Sequence, residues 1–140
     1  MADPFNLARF VSAQEPLMRQ VHAELTAGRK QSHWMWFVFP QLAGLGRSDV
    51  ARVYAISSLD EARGYLAHPI LGPRLTACTH WVNGVRNRTA RQIFGTPDDL
   101  KFQSCMTLFA LADPTEQSFR EALAKYFDGA RDRFTEDQLS

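Results

Sequence analysis

Seven consecutive residues, His33, Trp34, Met35, Trp36, Phe37, Val38 and Phe39, offer no polar face whether they are laid on a strand of period 2 or a helix of period 3.6. A segment without a polar side has to be enclosed, so this run restricts the chain to folds that can wrap a core around it. Its aromatic content suits a strand. Ser32 as an N-cap before His33, and Pro40 pushing Phe39 out of the α region, suit a helix. A helix is expected, because the segments on both sides carry helix signals as well.

Asp3 before Pro4 is an N-cap followed by proline at the first helical position, opening a segment with Phe5, Leu7, Phe10 and Val11 on one side. After Pro16, Leu17, Val21 and Leu25 recur at helical spacing, and Gly28 stands where a C-terminal glycine belongs. Leu42 to Gly46 reads as a loop, and Ser48 with Asp49 starts a short helix through Tyr54. Ser58 and Glu61 have capping-box spacing for a helix from Leu59 to Ala67, ending near His68 and Pro69. Ile70, Leu71, Leu75, Cys78 and Val82 form the apolar face of the next helix, whose regular start falls near Pro73 and which Asn83 and Gly84 stop. Arg86, Arg88 and Arg91 read as a solvated loop and helix surface. Thr96-Pro97-Asp98-Asp99 opens a helix to about Ala112, and Asp113-Pro114-Thr115-Glu116 repeats the device for one reaching Phe127, with Gly129 beyond it. Thr135 is expected to cap a last turn. No hairpin signal between alternating strands, βαβ rhythm or internal repeat is present. The expected fold is all-α: a bundle of seven or eight short helices around the buried aromatic helix.

At 140 residues the chain fits one domain, 1–140, able to bury roughly 70% of its unfolded surface without metals or disulfides. A formal net charge of +1 leaves no broad basic footprint, so a nucleic-acid partner is not expected. The start, MADPFNLARF, has no signal-peptide pattern, and no stretch has the 18 or so apolar residues of a membrane span. A cytoplasmic protein with no membrane partner is expected. Cys78 and Cys105 sit on apolar helical stretches without CxxC spacing, which points to buried free thiols rather than a disulfide or a zinc site. No metal and no cofactor are expected, and oligomeric state is not legible.

No Walker loop, G-x-S-x-G, HExxH or dinucleotide glycine fingerprint occurs. The chemically conspicuous feature is the pair Arg29 and Lys30, placed just before a helix N-terminus where the dipole repels cations. With the amides following Ser32 they compose a cradle for an anion; alternatively Asp98, Asp99 or another carboxylate pairs with them. Lys101 is a second first-turn cation in need of a partner. Trp34 and Trp36 are either core or the flat wall of a ligand site, and Gln41 is a polar group in apolar surroundings. His33 is either a packed histidine or a general acid–base group. Asp98 and Asp99 are capping residues or a catalytic pair. The candidate set is therefore His33, Asp98 and Asp99 for chemistry, and Arg29, Lys30, Ser32, Trp34, Trp36, Gln41 and Lys101 for a small anionic ligand. His68 and Arg74 rank second.

The stretches GRKQSHWMWFVFPQLAGLG, HPILGPRL and IFGTPDDLKFQSCMTLF resemble the bacterial domain-of-unknown-function family 1810 over nearly the whole chain. The resemblance implies a small all-helical cytoplasmic fold and brings no established activity. A more distant similarity runs to NADAR proteins, helical enzymes associated with ADP-ribose N-glycosidic chemistry, and implies counterparts for Arg29, Trp34 and the Phe94-Gly95 turn. The resulting expectation is a protein that binds or hydrolyses a nucleotide- or ADP-ribose-like anion at the Gly28–Gln41 stretch. The alternatives are an interaction module and a purely structural domain. A ligand site requires Arg29, His33, Gln41, Asp98 and Lys101 to converge on a concave pocket, whereas an interaction module requires an exposed apolar patch of several hundred Å².

Overall fold

The computed structural model describes residues 3–139, which form ten helices and no strand. They are α1 (Ala8–Gln14), α2 (Met18–Ala27), α3 (Met35–Val38), α4 (Asp49–Val53), α5 (Leu59–Ala67), α6 (Leu71–Asn83), α7 (Ala90–Phe94), α8 (Asp98–Ala112), α9 (Gln117–Phe127) and α10 (Arg133–Leu139). The all-α class agrees with the capping signals; the count exceeds the expected seven or eight. The additional helix α7 is a full capping box, in which Thr89 accepts from the Gln92 N–H and the Gln92 side chain accepts from the Thr89 N–H. That T-x-x-Q spacing lies within the arginine-rich stretch expected to be a solvated loop and helix surface.

Several starts differ from expectation in instructive ways. Ser32 does not cap α3, which begins at Met35; its hydroxyl donates to Glu24 instead. α8 begins at Asp98 with Pro97 in the N-cap position and no side-chain cap from Thr96. Glu116 rather than Asp113 caps α9, and Asp132 rather than Thr135 caps α10, accepting from the Thr135 N–H and hydroxyl. His68 ends α5 and also opens α6, because its Nδ1 accepts from the Ile70 and Leu71 N–H groups. That bond pair moves the start of α6 ahead of Pro73.

α3 is only four residues long, with Trp36 and Phe37 half-buried, so the aromatic run is not the central helix. That place belongs to α8, where Phe102, Cys105, Met106, Leu108 and Phe109 are fully enclosed and α5, α7, α9 and α10 pack around them. A helix apolar on all sides is stable only when surrounded. The aromatic run contributes Trp34, Met35, Val38 and Phe39 to the same core cluster, with the Phe39 ring edge-on to Phe94 and Phe102 at 6.0 and 5.0 Å. Gly28 at the end of α2 has φ 74°, and a Cβ there would press on Val85 at 2.9 Å, so both backbone and space call for glycine.

Candidate functional site

The loop between α2 and α3 is organised by a carboxylate that the sequence signals did not single out. Glu24 lies on the apolar stripe of α2 beside Val21 and Leu25 and is 7% exposed. It accepts from the Gln31 N–H at 2.7 Å, the Ser32 N–H at 3.0 Å, the Ser32 hydroxyl at 2.7 Å and the Trp34 indole N–H at 3.0 Å. Burial pushes this carboxyl up, but the four donors outweigh it and hold the group at about 2. The expected anion cradle around Ser32 thus holds an anion belonging to the protein itself. A glutamate on an otherwise apolar helical face was the available signal.

The cations fall into two groups. Lys30 is the structural one: its side chain is 7% exposed, its ammonium pairs with Asp98 at 2.8 Å, and it lies 5.1 Å from the Trp34 ring. The Lys30 N–H donates to the Ile93 carbonyl at 2.7 Å, which ties the loop to α7. Lys101 reaches the other oxygen of Asp98 at 3.2 Å and stands 4.8 Å over the Trp36 ring. One carboxylate therefore serves two lysines, and Asp99 beside it adds a second carboxylate to the first turn of α8. Arg29 is exposed, and its side chain has no hydrogen bond or ion pair among the described residues. The carboxylate pairing weighed for Arg29 is thus made by its neighbour Lys30.

A cleft of about 510 Å³ opens beside Lys101, within the size range of small-ligand sites. Trp36 and Gln41 line it from α3 and the segment after it; Gly46, Arg47, Ser48 and Ala51 from the loop and α4; Pro97, Leu100, Lys101 and Ser104 from α8; and Asp132 from the turn before α10. Gln41 is set in place by its carbonyl, which accepts from the Ile56 N–H at 2.8 Å. The adjacent Leu42 forms a parallel bridge with Ile56.

Of the sequence candidates, Trp36, Gln41 and Lys101 share this cleft, and Asp98 joins them through Lys101. Trp34 is fully buried and Ser32 is engaged by Glu24 and by the Gln20 amide, so neither is offered to a ligand. His33 is exposed, precedes α3 and does not line the cleft. Asp99 accepts from the Leu100 N–H at 2.9 Å. The second-rank residues have structural partners: His68 caps α6, and Arg74 pairs with Glu15 at 2.7 Å. Arg47 and Asp132 carry no motif that would have drawn attention to them. Among the described residues no group of three or more His, Cys, Asp or Glu is placed to hold a metal, and no helix is long and apolar enough to cross a membrane.

The sequence matches, over residues 4–139, the family model described as "Protein of unknown function (DUF1810)". Among solved structures, the crystal structure of the conserved hypothetical protein Rv1873 from Mycobacterium tuberculosis is similar over 98% of this chain and 98% of its own, at 58% sequence identity and a TM-score of 0.97. No curated protein matches the chain.

Proposed function

The chain belongs to DUF1810, a family of proteins of unknown function, and we propose that it binds a small anionic ligand carrying a flat ring in the cleft between α3, α4 and α8. The observation that carries this reading is the arrangement around Lys101. Its charge is only half matched, because Asp98 is shared with the buried Lys30, and it stands over the face of Trp36 in the cleft that Arg47, without a partner among the described residues, also lines. Two cations, Arg47 and Lys101, lining one cleft with an aromatic surface suit a phosphate or carboxylate joined to a base or sugar. As part of the same proposal the ligand class is nucleotide- or ADP-ribose-like, after the distant NADAR resemblance of the sequence; the matches found are to DUF1810 and to a conserved hypothetical protein, and none is to a NADAR protein. Two buried free thiols support a reducing, cytoplasmic setting as part of the same proposal.

Cleavage of the ligand is not included. His33 stands outside the cleft, Asp98 is held between two lysines, and Asp99 bonds the next backbone amide.

A thermal-shift screen of AMP, ADP-ribose, ribose 5-phosphate and adenosine tests the reading. Loss of one charge-assisted contact, about 1.5–3 kcal/mol, corresponds to roughly a ten- to hundredfold weaker Kd. Lys101→Ala is expected to show that loss for AMP, while Arg29→Ala and His33→Ala leave binding unchanged. Absence of any stabilisation of the wild type by these compounds at millimolar concentration removes the proposal.

A further inference from the structure

One wall of the cleft is hydrogen-bonded to the rest of the fold only at its ends among the described residues. On the entering side the Ala43 N–H donates to the Ile56 carbonyl at 2.8 Å. On the leaving side Arg9 donates to the Val53 and Ala55 carbonyls at 2.7 and 2.9 Å, and the Tyr54 ring packs on Phe10 and Phe37. Between these clamps, and among the described residues, residues 44–52 make hydrogen bonds only with one another, through Ser48 to Ala51 and Arg52, and with the adjoining Tyr54 and Ala55, through the Val50 and Arg52 carbonyls; Leu45, half-buried, is the one side chain of the segment that packs against the core. Helix α4 buries none of its five residues, and Val50 and Val53 are 44% and 54% exposed. Gly44, at the start, has φ 103°, a conformation other residues rarely adopt. A segment with few buried contacts, clamped ends and a glycine at its root opens at low free energy.

The charges in the cleft give this segment a task. Lys101 is engaged by Asp98, and Asp132 is engaged by the Thr135 N–H and hydroxyl. Arg47, carried on the segment, lines the cleft with no hydrogen bond or ion pair among the described residues. A guanidinium presents a planar fork that matches two oxygens of a phosphate or carboxylate.

We propose that residues 44–52 are a flap that closes over the cleft on an anionic ligand, with Arg47 as the residue that recognises the anion while the ring lies against Trp36. The inference rests on the binding reading above and adds to it a specificity-determining residue and a motion. Closure sequesters the anion between Arg47 and Lys101 and withdraws it from water, which strengthens both contacts.

Hydrogen exchange read by mass spectrometry on the full chain, free and saturated with AMP, tests it alongside the thermal shift. Amides of residues 44–52 are expected to exchange faster than those of α8 in the free protein and to slow by about tenfold or more with AMP. Arg47→Ala, a change at an exposed position, is expected to abolish that slowing and to raise the Kd for AMP about ten- to hundredfold. Binding of adenosine, which lacks the anion, should not change. Unaltered exchange of the flap around bound AMP, or AMP binding by Arg47→Ala equal to that of the wild type, overturns the flap and leaves the binding reading standing. Absence of a thermal shift with every compound of the screen overturns both.

Discussion

The indole N–H of Trp34 donates to the carboxylate of Glu24 at 3.0 Å, with the tryptophan fully buried and the glutamate nearly so. Together with the Gln31 and Ser32 donors, this bond turns the chain out of α2 and into α3. It sets the direction in which Lys30 points toward Asp98. A buried carboxylate with four donors is a fully satisfied group, and its loss would orphan all four.

Glu24→Gln should therefore destabilise the protein by roughly 1.5–3 kcal/mol at neutral pH, since the amide replaces a charged acceptor and turns an NH₂ toward donors. The pH dependence follows from the depressed carboxyl, at about 2 against its ordinary 4.5. The stabilisation is fully present above about 4.5 and is lost as the pH falls toward 2. Urea denaturation of both proteins at pH 7 and pH 3 checks this. A wild-type advantage that does not shrink at the lower pH would contradict it.

Asp98→Asn should separate stability from binding. It leaves the buried Lys30 without a carboxylate, at a cost of about 2 kcal/mol or more. Lys101→Ala removes a cation that is more exposed than Lys30 and should cost less, about 1 kcal/mol. Equal losses in melting temperature would show that Lys101 belongs to the structural pair rather than to the cleft.

Gly72 is enclosed at the start of α6, where an added Cβ would overlap the Leu66 carbonyl oxygen. Backbone atoms cannot rotate away, so Gly72→Ala should separate α5 from α6 and destabilise by about 3 kcal/mol. Gly129→Ala, where a Cβ meets nothing within 4 Å but φ is 81°, should show only the smaller backbone cost, about 1 kcal/mol. Equal effects would disprove the steric account.

Burial pushes the Cys78 thiol up to about 12 and holds Cys105 well above its ordinary range, so neither supplies thiolate at neutral pH. Both should resist iodoacetamide in the native protein. Both should react once it is denatured without reductant. Modification of either thiol under native conditions would show that the core opens far more readily than this packing implies.

The local part of the architecture was determined by the sequence alone. Ser48 and Ser58 cap α4 and α5 at the expected positions, and Gly28 takes the left-handed conformation at the end of α2. These are contacts between residues three or four apart, whose geometry the backbone itself dictates. The enclosed thiols and the all-α class followed from the same local patterns. Tertiary structure decided where charges meet, because Lys30 and Asp98 come from distant parts of the chain and are brought together by the packing of α7 and α8 beneath the α2–α3 loop. It also decided that the Ser32 amides face Glu24, a choice no spacing rule contains, since a buried carboxylate takes whichever donors the fold presents. The cleft has the same origin: Trp36, Arg47 and Lys101 share it only because α3, residues 44–52 and α8 converge there. Capping is a short-range hydrogen bond and leaves its mark in neighbouring letters, whereas a site is a long-range contact whose members carry no common periodicity.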